Sequence, residues 1–195
     1  MQLSDSQRAH LVELARRTIC NVMSGEGEKH TAAISADSTA QLDIQHPAGC
    51  FVSLHEAGTQ RLRGCVGCLE AKDSLATAVE QAALSVLHDP RFLTDPVRRD
   101  ELPKLEIEIT LLSPMIDAID PLDFDPVEHG IFLTIGKESG CFLPQVARET
   151  GWSREQLLDR LCTEKLGLPR DAWKAPNARL QRFSATILGP ERFFQ

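Results

Sequence analysis

Residues Leu105 to Leu111 set the tightest limit on the fold. Leu105, Ile107, Ile109 and Leu111 alternate with Glu106, Glu108 and Thr110, a two-residue period that an extended strand turns into one apolar and one wet face. Strands of doubly wound parallel sheets are buried on both faces and read as continuous apolar runs, so this half-wet pattern points to an antiparallel or mixed sheet. Gly49 to His55 repeats the theme, with Cys50, Val52 and Leu54 set against Phe51, Ser53 and His55. A second extended run begins near Arg61, after Glu56-Ala57-Gly58-Thr59-Gln60. The two runs predict a hairpin that carries Cys65 towards the far end of its second strand.

Helical spacing accounts for much of the remainder. Ser4-Asp5-Ser6-Gln7 has the form of a capping box, and Leu11, Leu14, Ala15, Thr18 and Val22 follow as one stripe, predicting a helix from about Ser4 to Met23. Asp73 is placed to cap a helix with Leu75, Val79, Ala82 and Val86 on its apolar side, ending near Asp89-Pro90. Pro144 suits the first turn of a short helix that stops at Gly151, and Ser153 with Gln156 forms a second capping box before Leu157, Leu158, Leu161 and Leu166. A further hairpin is expected from Gly130–Ile135 through Gly136–Gly140 into Cys141-Phe142-Leu143, and a last strand from Arg182 to Leu188 burying Phe183, Ala185 and Ile187. Residues 24–46 are polar and aperiodic and read as a long loop with room for one short strand. Helices on antiparallel or mixed sheets make the expected fold class α+β.

The 195 residues fit one domain, or two small lobes sharing a core, better than two independent domains. A net charge of −7 with dispersed Lys and Arg argues against a nucleic-acid partner, which needs clustered cations to neutralise phosphates. No run reaches the apolar length of a membrane span, and Met1-Gln2-Leu3-Ser4-Asp5 has neither the basic nor the apolar part of an export signal. The expectation is a cytoplasmic chain whose six cysteines are reduced.

The chemistry concentrates in Leu62-Arg63-Gly64-Cys65-Val66-Gly67-Cys68. Glycine neighbours remove bulk around Cys65, and a nearby guanidinium favours a thiolate or holds an anion. Three functional readings compete for Cys65 and Cys68. Zinc needs two further donors, for which the chain offers only Cys50, Cys141 and scattered histidines. A thioredoxin-like pair needs a helix N-terminus, and residues three apart in a strand face opposite ways. The third reading makes Cys65 a single reactive thiol, set against a structural role as a small residue in a tight turn. Its base is not fixed by spacing: His55, His88 and His129 are all available. Arg91, in Asp89-Pro90-Arg91-Phe92, is a second cation for a carboxylate or phosphate, while the simplest role of that tetrapeptide is to stop a helix. Walker, Rossmann, nucleophile-elbow and H-E-x-x-H motifs are absent.

The hexapeptide Leu62–Gly67 closely resembles the signature of the AMME syndrome candidate protein family, whose bacterial and archaeal members are called AmmeMemoRadiSam system protein A. Asp89-Pro90-Arg91-Phe92, Glu101-Leu102-Pro103, His129-Gly130, Leu143-Pro144-Gln145-Val146, Gly151-Trp152 and Ala172-Trp173-Lys174 resemble further family motifs in the family's order. The resemblance spans nearly the whole chain. It implies one family domain over residues 1–195, an α+β fold of two unequal lobes, the larger containing both termini and the smaller drawn from the middle of the chain. It also implies association with a Memo-like protein and a radical-SAM protein, and this chain lacks the C-x-x-x-C-x-x-C of the latter. No reaction or cofactor comes with it. The site it implies is Arg63, Gly64, Cys65 and Gly67, with Cys65 the expected catalytic thiol; Arg91 and His129 are expected to join Arg63, Gly64 and Gly67 around an unidentified small ligand. Cys68 stands where the family commonly has a hydroxyl residue, and Cys141 where an aliphatic one is usual. Two functions are therefore expected: a thiol-dependent enzyme in which Arg63 orients an anionic group, or a non-catalytic ligand-binding or protein-interaction module using the same loop.

Overall fold

The computed structural model describes residues 3–25, 46–59 and 61–194. The loop expected over 24–46 lies, for residues 26–45, outside the described residues. The chain divides into two compact units, one made of residues 1–112 and 186–195 and the other of residues 113–185.

In the first unit, α1 (Asp5–Met23) opens with the expected capping box: Gln7 N–H donates to Ser4 Oγ, and Ser4 N–H donates to Gln7 Oε1 at 2.7 Å. β1 (Cys50–Glu56) and β2 (Leu62–Cys68) form the predicted antiparallel hairpin, with Gly58 turning the chain at φ +75°. β3 (Leu105–Leu112) pairs antiparallel with the other side of β1, which makes β2 the outer strand of this order. Cys50, Val52 and Leu54 of β1 join Leu105, Ile107, Ile109 and Leu111 of β3 on a buried face. That face is covered by Leu11, Val12, Ala15 and Ile19 of α1 and by the stripe of α2 (Leu75–Ser85). Each of the Val, Leu and Ile side chains among them contributes about 1.5–3 kcal/mol when fully removed from water, so the alternation in β3 and the helical stripes specify one another.

The second unit has its own core. β4 (Ile116–Asp117) pairs with β7 (Ala178–Arg192), β7 pairs with β5 (His129–Ile135), and β5 pairs with β6 (Glu138–Phe142), all antiparallel. α3 (Pro144–Thr150) ends on left-handed Gly151, and α4 (Arg154–Arg160) starts with the Ser153–Gln156 capping box. α4 then widens into a π-turn over Leu161–Leu166 that stops at left-handed Gly167. Ile131, Leu133, Phe142, Leu158, Leu161, Trp173 and Leu180 form the core. The Trp173 indole N–H is satisfied by Asp159 Oδ1 at 2.9 Å.

Four local expectations are corrected. Ser74, not Asp73, caps α2, because its Oγ accepts from Thr77 N–H. The same helix stops at Ser85 and gives way to a 3-10 turn over Val86–His88. The β5–β6 turn is only Gly136-Lys137: Glu138, Ser139 and Gly140 look like loop formers but pair with Ile135, Thr134 and Leu133. β7 is much longer than Arg182–Leu188, and its inward residues are Leu180, Phe183 and Leu188, whereas Ile187 is exposed and Ala185 half-buried. Strict alternation fails there because Leu180 serves the core of the second unit and Leu188 that of the first.

Candidate functional site

The site is built on the outer edge of β2. Cys65 lies opposite Ser53 in the register, and both its peptide groups are taken up by one tetrapeptide. Cys65 N–H donates to Asp89 Oδ2 at 2.9 Å, and the Cys65 carbonyl accepts from Arg91 Nη2 at 3.1 Å. A carboxylate and a guanidinium thus occupy the places that a neighbouring strand's C=O and N–H would fill, which closes the open edge at this residue.

Asp89-Pro90-Arg91-Phe92 adopts this shape for local reasons. Asp89 caps a 3-10 turn over Pro90–Phe92, accepting from Arg91 N–H at 3.0 Å, while proline fixes the first turn position. The same carboxylate accepts from Arg91 Nε at 3.1 Å and Nη2 at 2.6 Å, a two-pronged pairing. The Arg91 guanidinium also lies over the Phe92 ring, 5.7 Å from its centroid. Asp89 is only 3% exposed. Its bonds, led by that to Arg91 and joined by those from the Cys65 and Arg91 amides, hold its carboxyl well below the usual carboxylate range despite the opposing effect of burial. Arg91 is raised in turn, first by Asp89 and also by the Cys65 thiol through charge and hydrogen bonding. Arg91 Nη1 takes no part in these bonds, and the side chain is 57% exposed.

Arg63 sits two residues before Cys65 and is 2% exposed. Its Nη1 donates to Asp95 Oδ2 at 2.9 Å and its Nη2 to Glu101 at 3.1 Å, so its charge faces two carboxylates of the protein itself. Glu101 also accepts from Arg98 N–H at 2.8 Å, fixing the short helix Arg99–Lys104 against β2. Arg63 Nε is buried with no hydrogen-bond partner among the described residues. The space beside the two glycines is filled by protein. A Cβ on Gly64 would lie 2.8 Å from the Val86 carbonyl oxygen, and one on Gly67 2.0 Å from that of Cys50.

The sequence-derived set divides between the two units. Arg63, Gly64, Cys65, Gly67 and Arg91 belong to the first. His129 belongs to the second, where its Nδ1 accepts from Asp125 N–H at 2.9 Å. His55 lies in β1, opposite Leu62 and Glu106, and His88 lines a groove. That groove, of about 670 Å³, is formed by Val22, Val66, Leu84, Ser85, His88 and Pro90, and so adjoins the clamp through Val66 and Pro90. Cys65 and Cys68 fall on opposite faces of β2, and the residue opposite Cys68 is Cys50. Among the described residues no three His, Cys, Asp or Glu side chains gather as metal ligands, and no helix is long and apolar enough to cross a membrane.

Sequence reasoning missed Asp89, Asp95 and Glu101 as site residues, and took Cys50 only as a zinc donor on offer, not as the neighbour of Cys68. Asp89 carried a signal, since an Asp immediately before a Pro is a turn cap as well as a helix stop. The other three depend on tertiary register.

Fold and site together define an α+β protein with a carboxylate–guanidinium clamp around one edge-strand thiol. Comparison with known proteins places it more closely. The AMMECR1 family model matches residues 12–188, and the chain belongs to that family. A Methanocaldococcus jannaschii protein is 34% identical over 183 residues, covering 90% of this chain and 86% of its own. A Thermococcus kodakarensis protein is 32% identical, covering 97% and 93%. The crystal structure of an uncharacterized Pyrococcus horikoshii protein superposes with a TM-score of 0.81 at 30% identity, over 96% of this chain and 93% of that one.

Proposed function

We propose that the chain is a thiol-dependent enzyme in which Cys65 is the nucleophile and Arg91, rather than Arg63, meets an anionic or carbonyl oxygen of the substrate. The observation that carries this reading is the clamp: a partly exposed thiol on a strand whose amide and carbonyl are both held by Asp89 and Arg91. A nucleophile held in one orientation beside a cation whose Nη1 lies outside the bonds to Asp89 and the Cys65 carbonyl meets two requirements of covalent catalysis, positioning and charge stabilisation. Arg63 has a different part here. With its guanidinium on Asp95 and Glu101, it anchors β2 from below and keeps Cys65 in register.

Thiol profiling of the native protein tests the reading. Cys68 is more exposed than Cys65, so on access alone Cys68 alkylates first. An activated Cys65 overtakes it, and a Cys65 slower than Cys68 overturns the proposal.

The apolar groove beside Val66 favours a second reading, a non-catalytic module that binds a small ligand or partner along the same loop. Under it, Cys65→Ser leaves affinity and cellular activity intact; under the first it abolishes activity. The family resemblance adds the proposal that the chain works with a Memo-like protein and a radical-SAM protein. Co-purification of the tagged chain with either one tests that link.

A further inference from the structure

The sequence places Cys68 beside Cys65, but the fold places it across from Cys50. The two are directly opposed in the β1–β2 register, on the face that also carries Val52 and Val66. Opposed antiparallel residues have Cα atoms about 4.5–5.5 Å apart, inside the roughly 4.4–6.8 Å that a disulfide spans. Both cysteines are free; Cys50 is fully buried and Cys68 exposed. Burial first, and the neighbouring Cys68 second, push the Cys50 thiol up to about 12. The second cause agrees with the register, which sets Cys68 directly across from Cys50.

We infer that Cys68 is a peroxide-oxidisable site and Cys50 its resolving partner, the two forming a disulfide that ties the end of β2 to the start of β1. In the first step the Cys68 thiolate attacks hydrogen peroxide, breaking the O–O bond to give Cys68 sulfenic acid and hydroxide. In the second, Cys50 sulfur attacks the sulfenic sulfur, the S–O bond breaks, and the Cys50 proton leaves with the hydroxyl as water. The peroxide is reduced to two oxygens at the water level and two thiols become one S–S bond. Exposure makes Cys68 the group that meets the oxidant, and the high proton affinity of Cys50 makes the second step the slower one. A Cys65–Cys68 bridge has no such route, since those side chains leave β2 on opposite faces. Because β2 is the outer strand among the described residues, the new bond fastens the edge that carries Cys65, three residues away. This inference stands independently of the reading of Cys65 as a nucleophile.

The test is to expose purified full-length protein to hydrogen peroxide, then count thiols with Ellman's reagent under denaturing conditions and map peptides without reduction. The expected result is one cross-linked pair joining the peptides of Cys50 and Cys68, which removes those two of the six thiols. Cys68→Ser, an exposed change that leaves the core untouched, gives no cross-linked pair at Cys50. The oxidised wild type also shows slower amide exchange over residues 62–68 than the reduced form. A bridge containing Cys65, a Cys68–Cys68 link between two chains, a Cys68 sulfinate with Cys50 still reduced, or six surviving thiols would each overturn the inference.

Discussion

Replacing Asp89 with asparagine keeps the shape of the clamp on Cys65 and removes its charge. The carboxylate accepts from four donors: the amides of Cys65 and Arg91, and Nε and Nη2 of Arg91. Asparagine offers one accepting oxygen, so two donors face an NH2 group. Arg91 is 57% exposed and recovers its bonds from water, so its share of the loss is small. The Cys65 amide faces an almost fully buried side chain, and an unpaired buried donor costs about 1–3 kcal/mol. The expected destabilisation of the β2 edge is therefore about 2 kcal/mol, or roughly a 30-fold shift in its opening equilibrium. Hydrogen exchange resolved over residues 62–68 reads this directly: the Cys65 amide exchanges about 30-fold faster in Asp89→Asn. Tryptophan emission is the wrong probe, because Trp152 and Trp173 both lie in the second unit. Unchanged exchange at Cys65 in a folded Asp89→Asn protein would show that the clamp holds nothing, and the proposed positioning of the thiol would fall with it.

Acid should expose the same carboxylate. Asp89 ionises well below the ordinary carboxylate range in the folded chain, so its stabilisation is fully present above about pH 4 and is lost as pH falls towards the folded value. Wild-type urea midpoints, read by far-ultraviolet circular dichroism, should drop in that window more steeply than those of Asp89→Asn. At Arg63, truncation and isosteric replacement should differ. Arg63→Ala leaves a cavity and frees Glu101, at about 2–4 kcal/mol, whereas Arg63→Met also frees Glu101 but fills the space and removes the unpartnered Nε, so it costs about 1–2 kcal/mol less. Equal urea midpoints for the two variants would contradict the assignment. Glycine substitutions should separate strain from collision. Gly58→Ala has open space and loses about 1 kcal/mol to its φ of +75°. Gly67→Ala drives a methyl to within 2.5 Å of the Phe51 Cα and loses more than about 3 kcal/mol, measured by the same melts.

Local and tertiary information separate cleanly in this chain. The period of Leu105–Leu111, the capping boxes at Ser4 and Ser153, and Gly151 ending α3 all report on residues within four positions, and each is found where the spacing put it. The α+β class follows from them. The errors fall where another element decides. Glu138–Gly140 has loop composition, yet three cross-strand partners and the side chains of Lys165 and Leu166 packed beside Gly140 make it a strand. In the site, Cys65 was legible as a thiol among glycines, but the proteins's own use of the surrounding charges was not. Nothing near Arg63 in sequence announces Asp95 and Glu101, which lie 32 and 38 residues away. Cys68 shows the same limit: sequence neighbours suggest Cys65, and only the hairpin register, with its irregularity between Leu54 and His55, brings it to Cys50.

If Arg91 presents Cys65 to an anionic or carbonyl group, the ratio of alkylation rates at Cys65 by iodoacetate, which is anionic, and iodoacetamide, which is neutral and of similar size, reads it directly. In the wild type this ratio should exceed that at exposed Cys68 several-fold. It should fall to the Cys68 value in Arg91→Gln and be largely kept in Arg91→Lys, which retains the charge. Equal ratios at Cys65 and Cys68 in the wild type, or a ratio at Cys65 that Arg91→Gln leaves unchanged, would contradict the account.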